Sequence, residues 1–225
     1  MSGTVLAVAG IDTGIGKTYT TGLLAKALLQ QGKKVITQKI VQTGCEGIAE
    51  DILEHRRLMG IGVQEVDREG LTGPSVFRYP ASPHLSARLE GSGVDLHRIS
   101  HATLALQQRY DLVLLEGVGG LLVPLTAELL FADYIRDAGY SLLLVTSPRL
   151  GSINHTLLSI EACRHRGIAI RGVVYNCFQH IDKLIADDTR EVILHYLARA
   201  GYVVPLIDLH EGQLDQDAAA RLSLS

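Results

Sequence analysis

The sequence predicts an α/β protein with a three-layer αβα architecture, a mostly parallel central sheet between two sets of helices. Short apolar runs alternate with longer amphipathic stretches, as the strands and crossover helices of a parallel sheet do. One run, Leu112 to Leu115, is wholly aliphatic, which suits a strand covered on both faces. The first run ends in a glycine-rich turn that opens straight into a helical pattern.

Taken in order, Thr4 to Ala9 is the first strand. Leu23, Leu24, Ala27 and Leu28 then fall on one helical face, and Gly32 stops that helix. Lys34 to Gln38 is the second strand and delivers Lys39 at its end; the third, Leu112 to Leu115, ends at Glu116 and Gly117. Ser141 to Thr146, Ile168 to Tyr175 and Tyr202 to Ile207 complete the set. Leu96, Ile99, Thr103 and Leu106 step by three and four, as do Ile153, Leu157 and Ile160 ahead of Gly167, so both stretches read as helices. Residues 181–199 are helical in pattern, but Asp187-Asp188-Thr189-Arg190 interrupts the apolar face and suggests two helices. Residues 60–95, rich in Gly, Pro and Ser, read as a long excursion on the sheet. With no repeat or linker in view, residues 1–225 read as a single domain.

Composition narrows the function. The 225 residues carry 21 Lys+Arg against 24 Asp+Glu, a net charge of −3, so no strong field draws nucleic-acid phosphates. Three Phe and no Trp leave few platforms for base stacking, and nucleic acid is not an expected partner. Cys45, Cys163 and Cys177 are odd in number and lack a C-x-x-C spacing, which reads as reduced thiols in a cytoplasmic protein. The opening residues lack the basic segment of a signal peptide. No apolar stretch approaches the roughly 20 residues of a membrane helix, so no membrane association is expected.

Gly10-Ile-Asp-Thr-Gly-Ile-Gly16-Lys17-Thr18 lies between a strand and a helix, where a P-loop must be. Its glycines let backbone N–H groups turn onto phosphate oxygens, and the helix N-terminus adds its positive end. Lys17 is placed to reach the terminal phosphates and Thr18 to offer a hydroxyl to Mg²⁺. Five residues separate Gly10 from Gly16, one more than the usual spacing. The fold is therefore of the P-loop NTPase type. Lys39 and Thr43 follow the second strand, Glu116 the third, and Asn176 the strand ending at Tyr175; all face the carboxyl edge where open sheets bind ligands. A carboxylate such as Glu116 is a second support for Mg²⁺, and a second cation such as Lys39 suits a site that gathers more than one anion.

Further motifs occur in a fixed order: Lys39-Ile-Val-Gln-Thr43-Gly44 with Glu50-Asp51, Ala81-Ser-Pro-His84, Glu116-Gly-Val-Gly-Gly120 running to Val123-Pro124-Leu125, and Leu150-Gly-Ser-Ile-Asn154-His155. With the lengthened P-loop, this series resembles the dethiobiotin synthetase family of biotin biosynthesis, over most of the chain from Gly10 to Asn176. The resemblance implies an ATP-dependent ring closure. One amine of 7,8-diaminononanoate captures CO₂, supplied as bicarbonate, to form a carbamate; ATP phosphorylates it, and the second amine closes the cyclic urea with release of ADP and phosphate. It implies catalytic Lys17 and Lys39, and Mg²⁺ held by Thr18, Asp51 and Glu116. It assigns ATP to Gly14, Ile15, Gly16, Lys17, Thr18, Tyr19, Asp51, Glu116, Gly117, Val118, Gly119 and Asn176, with Asn176 against the base. Substrate falls to Thr13, Lys39, Thr43 and Asn154. A homodimer is implied, with substrate near the subunit interface. On this reading Lys17→Ala or Lys39→Ala abolishes turnover with the fold intact. Gly14 stands where some members have Glu and takes no acid–base role; Cys177 stands where an acid is common.

Other residues carry blander readings. His97 and His101 share a helix face without a third ligand and are taken as solvent-facing. His155 is a packing or capping histidine, and Asp12 braces the phosphate loop. The alternative function is a partition or cell-division ATPase that switches its dimerisation with nucleotide. Those proteins carry a lysine where Asp12 stands, and this chain has no basic amphipathic tail for a membrane.

Overall fold

In the computed structural model, which describes residues 3–178, 182–210, 212–215 and 217–224, the apolar runs assemble into one seven-stranded sheet. Its strands are β1 (Thr4–Gly10), β2 (Val35–Lys39), β5 (Leu112–Gly120), β6 (Ser141–Thr146), β7 (Ile170–Asn176), β8 (Leu206–His210) and β9 (Gln213–Leu214). Their order is β2-β5-β1-β6-β7-β8-β9, parallel except for the last pair. A two-stranded parallel sheet pairs β3 (Gln42–Thr43) with β4 (Val76–Phe77). The helices are α1 (Lys17–Gln30), α2 (Glu50–Met59), α3 (Glu65–Arg68), α4 (Pro83–Leu89), α5 (Leu96–Arg109), α6 (Phe131–Asp137), α7 (Ser152–Arg166), α8 (Lys183–Arg199) and α9 (Ala218–Arg221).

The central strands are buried on both faces, which is why they read as aliphatic runs: Leu6 to Ala9, Val113 to Leu115 and Leu142 to Val145 have essentially no exposed surface. Helix α1 packs on α2 and α9, while α7 lies between α6 and α8, so helices cover the sheet in two groups. The register sets Lys39 beside Glu116 on one side of β5, with Val8 of β1 beside it on the other. These adjacent strand ends bring a lysine, a glutamate and the loop after β1 to one edge of the sheet.

Three sequence expectations need correction. The last parallel strand is not Tyr202 to Ile207 but Leu206–His210: Pro205 has no N–H for the ladder, although its carbonyl accepts from Val173 N. Of the stretch 181–199, Ile181 lies outside the described residues and the rest is one helix, α8. Its polar run does not break it, because Thr189 is buried, Arg190 lies over the Tyr175 ring and pairs with Asp208, and Asp187 pairs with Lys183. Glu116 lies inside β5, which continues to Gly120, rather than after it, and Lys39 and Asn176 are likewise the last residues of β2 and β7 rather than residues that follow them. The excursion at 60–95 is tied to the lysine segment: Lys39 N donates to Thr72 O and Gln42 N to Ser75 O, and α4 follows beside them.

Candidate active site

The loop between β1 and α1 is braced from three sides. Lys17 Nζ donates to Asp12 O at 2.9 Å, and Asp12 Oδ1 accepts from Thr13 N at 2.7 Å. The Asp12 carboxylate also pairs with Arg149 beyond β6, and the Thr13 N–H together with Arg149 holds its pKa below the usual carboxylate range. At the end of β7, Asn176 Nδ2 donates to Ile15 O at 2.9 Å, while Asn176 Oδ1 accepts from Phe178 N. Ile15 is buried beneath the loop, and the Tyr19 ring stands 6.3 Å from that of Phe178.

Gly16 begins α1 at φ +105°, and a Cβ there would come within 2.2 Å of Asn176 Nδ2. Gly14, at φ +68°, has open space at the same place. Gly16→Ala should therefore displace Asn176 and distort the loop, raising the ADP dissociation constant by about tenfold or more. Gly14→Ala carries only left-handed strain of about 1–2 kcal/mol. Calorimetric titration with ADP separates the two, and equal affinities would mean that the Asn176 brace is dispensable.

Beside the loop lies a dense ionic cluster. Lys39 Nζ donates to Glu116 Oε1 at 2.8 Å, to Gly117 O at 2.8 Å and to Asp51 Oδ2 at 2.6 Å, so all three ammonium protons are engaged. Thr18 Oγ1 donates to the same Oε1 at 3.1 Å, and His55 Nε2 lies 2.7 Å from Oε2. Glu116 is fully buried. Burial works against its charge, but Lys39 and then His55 overcome that and hold its pKa far below the usual range. Burial likewise opposes the Lys39 charge, and Glu116 with Asp51 outweighs it, leaving the ammonium pKa raised. Lys17 lacks such partners: burial and the neighbouring Lys39 lower it to about 8. Two cations and two carboxylates thus face one space, with a hydroxyl between them.

That space is a cavity of about 870 Å³. Of the residues read from sequence, Thr13, Gly14, Gly16, Lys17, Thr18, Tyr19, Lys39, Thr43, Asp51, Glu116, Val118 and Gly119 line it. Gly117 contributes through its carbonyl and Asn176 through the loop. Asn154 does not join them; it is exposed in the first turn of α7, as is His155. His97 and His101 are exposed as well. Sequence reasoning missed Gln42, Glu54 and His55. Gln42 and Glu54 line the cavity, and the Gln42 side-chain Oε1 accepts from Asp51 N at 3.4 Å. Pro80, Ala81, Ser82 and Pro83 close one wall, giving the Ser-Pro-His turn a place in the site. The signal for His55 was its position one helical turn after Asp51, on the same face of α2.

The chain as a whole has known relatives. Residues 4–207 match a family described as an AAA domain. The chain is 61% identical over 218 residues, covering 96% of it and 91% of the relative, to a protein of Chlorobaculum tepidum named ATP-dependent dethiobiotin synthetase BioD. It is 52% identical over 183 residues to ATP-dependent dethiobiotin synthetase BioD 2 of Haemophilus influenzae, covering 81% of this chain and 96% of that one. Among solved structures, pNOB8 ParA bound to nonspecific DNA matches with a TM-score of 0.54 at 15% identity, over 87% of this chain and 75% of that one. The cell division protein FtsY of Thermotoga maritima matches with a TM-score of 0.52 at 21% identity, over 99% and 69%. These two likenesses concern the fold alone.

Proposed function

The chain belongs to the ATP-dependent dethiobiotin synthetase family, and from that premise we propose how its residues close the ureido ring of dethiobiotin from 7,8-diaminononanoate, CO₂ and ATP. The observation that carries the reading is the convergence of Lys17, Lys39, Asp51 and Glu116 on one cavity beside the phosphate loop.

One amine of the diamine adds to CO₂ and loses a proton, giving a carbamate. A carbamate oxygen attacks the γ-phosphorus of ATP in line, the bond to the β-phosphate bridge breaks, and ADP leaves. The second amine then attacks the carbonyl of the mixed anhydride; the C–O bond breaks, phosphate departs, and the nitrogen gives up its proton to water or a phosphate oxygen. No general-base histidine is required. Loop N–H groups and Lys17 hold the phosphates, and Lys39 offsets the charge shared between carbamate and transferring phosphoryl. Thr13 and Thr43 line the cavity and are proposed to meet the substrate, and Asn176, whose amide braces the loop, would lie against the nucleotide base. Most of the acceleration is positioning and charge neutralisation.

The residues present fit Mg²⁺. Thr18, Asp51 and Glu116 offer a hydroxyl and two carboxylates, an all-oxygen set suited to a hard cation. Among the described residues no group of three or more His, Cys, Asp or Glu forms a metal cage, which suits an ion that keeps water and phosphate ligands. When bound, the ion would neutralise charge on the β- and γ-phosphate oxygens. Glu116→Gln should raise the Mg²⁺ concentration for half-maximal turnover by about tenfold or more. An unchanged titration refutes the assignment.

The assembly is proposed as a cytoplasmic homodimer. Cys45, Cys163 and Cys177 are free, and among the described residues no helix is long and apolar enough to cross a membrane. Leu150, Leu184 and Ile185 are exposed around a groove between the start of α7 and α8, close to Asn154. A second copy covering that apolar surface would bury the start of α7, where Asn154 lies. The switch-ATPase reading is not favoured: Asp12 pairs with Arg149, and the likeness to ParA is one of fold.

A further inference from the structure

His55 does not line the cavity, yet it is fully buried and lies 2.7 Å from the free oxygen of Glu116. Behind it runs a chain of groups whose donors and acceptors can be counted. Arg56 Nε and Nη2 donate to the two oxygens of Asp67 at 2.9 and 2.7 Å, and Thr72 Oγ1 donates to Asp67 Oδ1 as well. Arg56 Nη1 donates to Thr37 Oγ1 at 2.8 Å. A guanidinium has only donors, so the Thr37 oxygen must accept, and its single proton remains to be placed. Among the described residues, the other partner of that hydroxyl is His55 Nδ1, at 3.0 Å.

We infer that His55 is the positioning residue of Glu116, held as the Nε2–H tautomer by a one-way series of donors from Arg56 through Thr37 and the imidazole to the carboxylate. The opposite tautomer fails twice. An Nδ1–H aimed at Thr37 would leave the hydroxyl proton without an acceptor, and a bare Nε2 would face Glu116 Oε2 lone pair to lone pair. Thr37, His55, Arg56, Asp67 and Glu116 are all buried, so water does not relieve either fault.

The consequence bears on the reaction. Oε2 is committed to His55, and Oε1 alone turns toward Thr18, Lys39 and the cavity. The carboxylate is thereby held in one rotation, with one oxygen presented to the cation. This step rests on the reading of Glu116 as a metal-holding group, while the tautomer stands on the hydrogen-bond count alone.

Two measurements test it on the full chain. Nitrogen-15 NMR of the histidine rings, with His55 identified by its loss in His55→Leu, should show a protonated Nε2 and an unprotonated Nδ1. Calorimetric binding of ADP at rising Mg²⁺ should then show that His55→Leu needs about tenfold or more Mg²⁺, as loss of a partner behind a metal ligand typically does. His55→Gln, whose amide can still donate to Oε2, should return to within about threefold of the parent. If His55→Leu fails to fold, the loss of the signal in His55→Gln identifies His55 in the parent spectrum, and the tautomer read there and the Mg²⁺ dependence of His55→Gln still decide. A protonated Nδ1 overturns the tautomer. A Mg²⁺ dependence altered by Glu116→Gln but not by His55→Leu overturns the positioning role. No change in either variant overturns the reading of Glu116 itself and this inference with it.

Discussion

Replacing Lys39 with alanine is expected to abolish dethiobiotin formation and to lower thermal stability together. From sequence alone the loss of turnover is expected with the fold intact. The structure adds a second cost, because the ammonium lies between Asp51 and a fully buried Glu116. Removing one partner of a buried ion pair costs about 3–5 kcal/mol. For a chain of this length that corresponds to a fall in Tm on the order of 10 °C. Scanning calorimetry beside a product assay measures both effects. An active Lys39→Ala would remove the lysine from the reaction, and an unchanged Tm would show that Glu116 finds its compensation elsewhere.

Lys17→Ala is expected to separate the two effects. Lys17 Nζ bonds one loop carbonyl, and burial, with the neighbouring charge of Lys39 added to it, lowers its pKa to about 8. Its loss relieves repulsion as much as it removes a contact, so Tm should stay within a few degrees of the parent. Turnover should fall by about 10³-fold or more, the scale seen when a charge-stabilising group is withdrawn from a transferring phosphoryl. Steady-state ADP release reads the first quantity and calorimetry the second. Full activity would eliminate Lys17 as a phosphate-holding group.

The contrast between these lysines was half visible in the sequence. Lys17 follows Gly16 in the loop after the first strand and Lys39 closes the second strand, so their convergence could be argued from the parallel-sheet pattern. Their different burial partners could not, because Glu116 and Asp51 are brought to Lys39 only by the β2–β5 register and by α2. The strands were legible where an aliphatic run ended in a turn: β6 runs from Ser141 to Thr146 in both readings. Pro205 shifted β8, a local covalent constraint that an apolar pattern does not weigh. Helix α2 escaped notice for a different reason. Its buried positions are Ile52, His55, Arg56 and Met59, a helical spacing in which two of four side chains are polar. Hydrophobic periodicity does not register such a face, and His55 was lost with it. The excursion at 60–95 was similarly opaque, since backbone bonds such as Lys39 N to Thr72 O leave no mark on composition.

The most direct test of the account is to incubate the protein with 7,8-diaminononanoate, bicarbonate and Mg·ATP and to seek dethiobiotin by mass spectrometry. Product that requires all three, formed with ADP and phosphate, is the predicted result. ATP hydrolysis without dethiobiotin, responding instead to dimerisation or to a protein partner, would contradict it.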